Sequence, residues 1–110
     1  ATGEVTQAVR ATNSDAGPIG EGDWIGLVRG APHIPNGIAV VSGTLDGATV
    51  GLLEKLVTPG REIVTVVEGR DATSGHTDVI HAWLDEHRPA VQVEVHRGGQ
   101  PLYPYLFGVE

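Results

Sequence analysis

The sequence predicts an α/β domain of mixed (α+β) character. One mixed sheet of about five to six strands carries two helices, in the order β-β-β-α-β-α-β-β. Three observations predict it. Short runs rich in Val and Ile are punctuated by Gly and Pro, as strands are. Two segments repeat their apolar residues at the helical period. The middle of the chain then reads helix–strand–helix–strand, a βαβ pattern that makes part of the sheet parallel with a right-handed crossover.

The elements follow in order. Glu4 to Arg10 alternates weakly and is placed as a first strand. Trp24-Ile25-Gly26-Leu27-Val28 and Ile38-Ala39-Val40-Val41 are apolar runs, separated by the Gly-, Pro- and Asn-containing stretch Arg29 to Gly37. They predict a hairpin with a long, irregular connection. Asn13 to Gly22 is rich in Gly, Asp and Ser and reads as a loop.

Leu45, Ala48, Thr49, Leu52, Leu53 and Leu56 fall on one stripe of a helix that Thr44 can cap and Pro59-Gly60 ends. Gly47 and Gly51 lie inside it, which implies close packing of helix on sheet. A second helix runs from about Thr77 to His87, with Val79, Ile80, Trp83 and Leu84 as its dry stripe. Ser74 or Thr77 can cap it, and Pro89 stops it.

Between the helices, four of the six residues of Glu62 to Val67 are Ile or Val, without clean alternation. That pattern predicts a central strand covered on both faces. Val91 to His96 alternates strictly, so one face is dry and one wet. Leu102 to Val109 is interrupted by Pro104, which cannot donate to a ladder, so this strand is expected at an edge or a bulge.

The chain has 110 residues, with 7 Lys plus Arg against 14 Asp plus Glu, a net charge of −7. Such a balance argues against nucleic acid and against anionic membrane as partners, since both need a basic face. There is no cysteine, which excludes disulfides, thiolate metal sites and thiol catalysis. No apolar run is long enough to span a membrane and no signal peptide opens the chain, so a cytoplasmic location is expected. The absence of any methionine implies a piece of a longer protein.

No catalytic constellation emerges. Gly17-Pro18-Ile19-Gly20-Glu21-Gly22 looks like a phosphate loop, but a strand, not a helix, follows it at Trp24. Asp78, His81 and Asp85 share the polar face of the second helix, which any amphipathic helix shows, and no metal site is assigned. Ser14, Ser42 and Ser74 sit in no nucleophile elbow.

The most unusual segment is Arg97-Gly98-Gly99-Gln100-Pro101-Leu102-Tyr103-Pro104-Tyr105. Its glycines permit a tight turn or a nest of N–H groups that could hold an anion, beside the charge of Arg97. Tyr103 and Tyr105 are two apart and so would share one face of a strand, as rings at interfaces do. A hairpin turn leading into a core strand explains the same residues.

This segment, together with Gly3 to Arg10, Gly20 to Leu27 and the closing Val109-Glu110, resembles the end of bacterial dihydroxyacetone-kinase-like proteins, in the family of the fatty acid kinase A-subunit. The resemblance implies that residues 1–110 are a single C-terminal subdomain, similar to half of a DegV-like fold. It implies a non-catalytic domain that docks a DegV-like fatty-acid-binding protein, beside other domains of its own chain, with a homodimer through the parent. ATP and Mg are then handled upstream, and no cofactor is expected here. The residues expected to meet the partner are Arg10, Arg97, Gly98, Gly99, Gln100, Tyr103 and Tyr105. Two alternatives stand beside this reading: binding of a small acyl ligand, and self-association through Leu102 to Val109 as an exposed edge strand.

Overall fold

The computed structural model describes residues 1–110. Eight strands and two helices follow one another: β1 (Thr2–Gln7), β2 (Thr12–Ser14), β3 (Gly17–Ile19), β4 (Trp24–Arg29), β5 (Gly37–Ser42), α1 (Leu45–Leu56), β6 (Ile63–Glu68), α2 (Ser74–His87), β7 (Gln92–Arg97) and β8 (Tyr105–Val109). Six strands form one sheet in the order β5-β4-β1-β8-β6-β7, and β2 pairs with β3 alone. The fold is α+β with a mixed sheet, as the sequence predicts. β6 and β7, joined through α2, run parallel, and every other pair in the sheet is antiparallel.

Helix starts follow from local chemistry. Thr44 accepts from the Gly47 N–H at 3.1 Å and caps α1. α2 begins earlier than its apolar stripe: Thr73, not Ser74 or Thr77, is the cap, accepting from the His76 N–H at 3.3 Å. Both helices pack on one side. Leu52 lies over Gly26 and Gly3 of the sheet. Leu52, Leu53 and Leu56 are fully buried with Val5, Val28, Val64 and Val66. Each such side chain contributes about 1.5–3 kcal/mol by leaving water.

Four further expectations need correction. β1 starts at Thr2 and ends at Gln7, so Arg10 lies beyond it; Ala8 still bonds to Asp23 and Gly22, but Gly22 takes φ 86° and the Asp23 N–H turns to the Gly20 carbonyl, which breaks the ladder there. Residues 12–19 form a small hairpin rather than a loop; the Ser14 hydroxyl donates to the Gly17 carbonyl at 2.8 Å and Gly17 takes φ 117°. β8 is not an edge strand. It pairs with both β1 and β6, and Pro104 stands just outside the ladder, so its missing N–H costs nothing. β6 is covered on one face only: Val64 and Val66 are buried under the helices, whereas Ile63, Thr65 and Val67 are half-exposed.

Candidate functional site

β1, β5, β6 and β7 end, and β4 and β8 begin, at the same end of the sheet, as the pairings require. The caps of α1 and α2 sit there too. This topology gathers all seven residues expected to meet a partner, although they are up to 95 positions apart, from Arg10 to Tyr105. It also brings Arg70 beside them, a residue that no sequence pattern singles out.

The segment after β7 is tied down rather than free. The Gly98 and Gly99 N–H groups both donate to the Glu68 carbonyl, at 2.9 and 3.0 Å. They are therefore already used, and no open nest faces an anion. The Arg97 guanidinium donates to the Ala72 and Arg70 carbonyls at 3.2 and 2.9 Å, clamping the turn into α2. Gln100 donates from Nε2 to the Tyr103 and Val67 carbonyls, and its backbone carbonyl accepts the Arg70 N–H. A side chain at Gly69 would run into the Tyr103 and Gln100 carbonyls, so the segment lies directly on that residue.

Tyr105 is fully buried at the foot of this segment, so it supports the surface from beneath. It does not share a strand face with Tyr103, which precedes β8. Its hydroxyl lies 2.8 Å from Thr77 Oγ1, which is 2.6 Å from a Glu68 carboxylate oxygen. Burial pushes the Tyr105 phenol above its usual pKa. The negative charges of Glu68 and Asp46 add to that, against the Thr77 hydrogen bond and Arg97. Nearby, His76 Nδ1 and Asp46 Oδ1 are 2.6 Å apart and join the first turns of α2 and α1.

Above this base the chain makes one strained turn. Leu102 has φ 71°, the only positive φ outside glycine, and the Tyr103 N–H bonds to the Pro101 carbonyl at 2.9 Å. That is a γ-turn of the rare, strained hand. The Thr6 hydroxyl secures it by donating to the Leu102 carbonyl at 2.7 Å. Leu102 is 74% exposed; Val9, 85% exposed, lines the same small cleft. These are the two large apolar side chains most exposed in the molecule. The cleft holds about 220 Å³ between Thr6, Val9, Trp24, Arg70, Leu102 and Pro104. Arg10 is exposed beside Val9 and makes no ion pair, while Arg70 meets Asp71 at 3.6 Å.

A family model for the C-terminal part of FakA-like proteins, those like the A-subunit of fatty acid kinase, matches residues 1–110. The chain belongs to that family. It is also similar to an uncharacterized protein of Staphylococcus haemolyticus, 38% identical over 109 residues. An uncharacterized protein of Staphylococcus aureus strain RF122 is 38% identical over 111 residues. Each match covers 99% of this chain and 19% of the relative. The FakA-like chain thus spans about a fifth of the length of these curated relatives. No helix of the fold is long and apolar enough to cross a membrane.

Proposed function

We propose that this chain is the non-catalytic docking domain of a cytoplasmic fatty acid kinase. In this reading an upstream domain transfers phosphate from ATP, with Mg, to a fatty acid held by a DegV-like binding protein. The C-terminal domain grips that protein. The family assignment supports the context. One observation carries the docking role: a strained γ-turn holds Leu102 out in water beside exposed Val9. Strain of about 1–3 kcal/mol persists where the surrounding structure enforces it, and such sites are enriched in functional surfaces. Exposed Val9 and Leu102 line one cleft with the Arg70–Asp71 pair, and Arg10 follows Val9 in the chain; an apolar centre with a charged rim is the arrangement of an interface.

The acyl-binding alternative draws less support. The largest groove, about 690 Å³ beside β5, mixes Ser14, Asp15, Asn36 and Lys55 with Ile34 and Ile38. An acyl chain needs a continuous apolar wall. Self-association through β8 loses its basis, because β8 is an interior strand.

Calorimetric titration of the full-length parent with the fatty-acid-binding protein tests the docking role. Leu102→Asp and Val9→Asp are expected to weaken binding by about tenfold or more each, as truncation of a central interface residue does. Arg10→Glu is expected to slow association and flatten its salt dependence. Unchanged affinity in both apolar variants overturns the reading, as does ATP turnover by the 110-residue chain alone.

A further inference from the structure

The sheet has a second face that the helices do not touch. Residues paired across a sheet point the same way, so Leu27, Glu4, Leu106 and Val67 form one straight row over β4, β1, β8 and β6. Ile25 and Val41 flank the row on β4 and β5, and Ile63 extends the same face on β6. None of these six aliphatic residues belongs to the buried cluster under the helices or packs against it. All six are half-exposed. An antiparallel sheet with one wet face normally makes that face polar. Here the pattern of β6 is that of a strand buried on both sides, yet on this side Ile63, Thr65 and Val67 are only half-buried, Val67 having the Gly98 segment against it.

Glu4 sits in the middle of the row. Its carboxylate has Leu27 and Leu106 as cross-strand neighbours and Arg29 diagonally across on β4, yet makes neither an ion pair nor a hydrogen bond; the two ion pairs of the molecule are Arg70–Asp71 and His76–Asp46. A carboxylate between two leucines that has no partner needs a cation opposite it once the face is covered. A second copy would fit badly. β1 and β8 are the central strands, so a two-fold pairing centred on this face would bring two Glu4 carboxylates together.

We propose that this face packs against the portion of the parent chain that lies outside the 110 residues, through an apolar surface bearing one Lys or Arg opposite Glu4. The matched stretch is 19% of the family's longer relatives, so most of such a chain is free to supply the cover. Interfaces between domains of one chain need only about 600–1,500 Å², within reach of a six-stranded sheet face. This rests on the reading that the chain is part of a longer protein; the face adjoins the end that carries Leu102, whose carbonyl Thr6 of this same face holds, and the test below separates the two.

The chain has no cysteine, which makes a single introduced thiol at this face a clean probe. Leu106→Cys is alkylated with iodoacetamide in the chain alone and in the full-length parent, and the modified peptide is followed by mass spectrometry. Alkylation in the parent is expected to be slower by about tenfold or more, while Glu54→Cys on the outer side of α1 reacts equally in both. Glu4→Lys supplies a second readout: it lowers the melting temperature of the parent and leaves that of the chain alone unchanged. Equal Leu106→Cys rates in chain and parent overturn the proposal. So does protection that grows with the concentration of the chain alone, which marks a second copy. Protection of the parent only after the fatty-acid-binding protein is added assigns the face to that partner and equally overturns it.

Discussion

Leu102 shows how much a single residue's backbone can say. A leucine with positive φ is costly, and glycine takes that conformation freely. Leu102→Gly is therefore expected to leave stability unchanged or raise it by up to about 1 kcal/mol, the relieved strain being partly offset by the flexibility of glycine in the unfolded chain. Urea unfolding measures this. The same variant should lose docking, since the apolar side chain is gone. Loss of stability and docking together would make Leu102 a packing residue instead. Tyr105 makes the complementary case at the buried end of the segment. Its phenol is held above the usual pKa, so the folded state keeps the proton that the unfolded state releases. The stabilisation is present below the unfolded value near about 10 and is lost as pH rises beyond it. Tyr105→Phe is expected to cost about 1 kcal/mol at neutral pH through its lost hydrogen bond. It should also flatten the change in stability above a pH of about 10, which urea midpoints across that range record. Neither property is legible in the sequence: a γ-turn depends on what holds it, here the Thr6 hydroxyl. The Tyr103–Tyr105 spacing suggests one strand face because nothing local says that β8 begins only at Tyr105.

At the scale of elements the sequence is most informative where a single period or cap decides. The Leu45–Leu56 stripe, the Thr44 cap and the long link between β4 and β5 are all local facts, and the structure carries each of them. The two glycines inside α1 imply close packing, and Gly51 bears this out: a side chain there would come within 2.9 Å of Val40 Cγ1. Helix propensity alone predicts that Gly51→Ala stabilises by about 1 kcal/mol. The stiff, β-branched Val40 cannot turn away cheaply, and overpacking costs about 1–3 kcal/mol. The expected outcome is a net loss of stability, measured as a lower denaturant midpoint; a gain would mean that α1 shifts off β5 at little cost. Where the elements are misplaced by the sequence pattern, polar side chains decide against the hydrophobic period. Thr73 starts α2 before its apolar stripe, and Ser14 with Gly17 closes a hairpin in a stretch that composition marks as loop.

At the scale of the whole molecule, what the sequence hides is who neighbours whom. The first and last strands, β1 and β8, lie side by side in the middle of the sheet, and the Ala1 carbonyl accepts the Val109 N–H at 2.9 Å. Pro104 argues for an edge because proline weakens a ladder, but one position outside the strand it weakens nothing. The candidate site is half legible for the same reason: Arg10 and Arg97 to Gln100 can be picked from motifs, but only this long-range pairing brings Val9 against Leu102. The consequence is testable by truncation. Removing residues 105–110 from an edge would trim the sheet and spare its remainder. Removing them from this sheet strips out Tyr105, Phe107 and Val109, each almost wholly buried, and parts β1 from β6. Three lost core side chains at about 2–5 kcal/mol each match or exceed the roughly 5–15 kcal/mol that holds a domain together. The truncated chain is expected to lose its near-ultraviolet circular dichroism and its cooperative thermal transition. A cooperative transition retained without β8 would show that β5-β4-β1 with α1 folds as a unit of its own, and would return the last strand to the periphery.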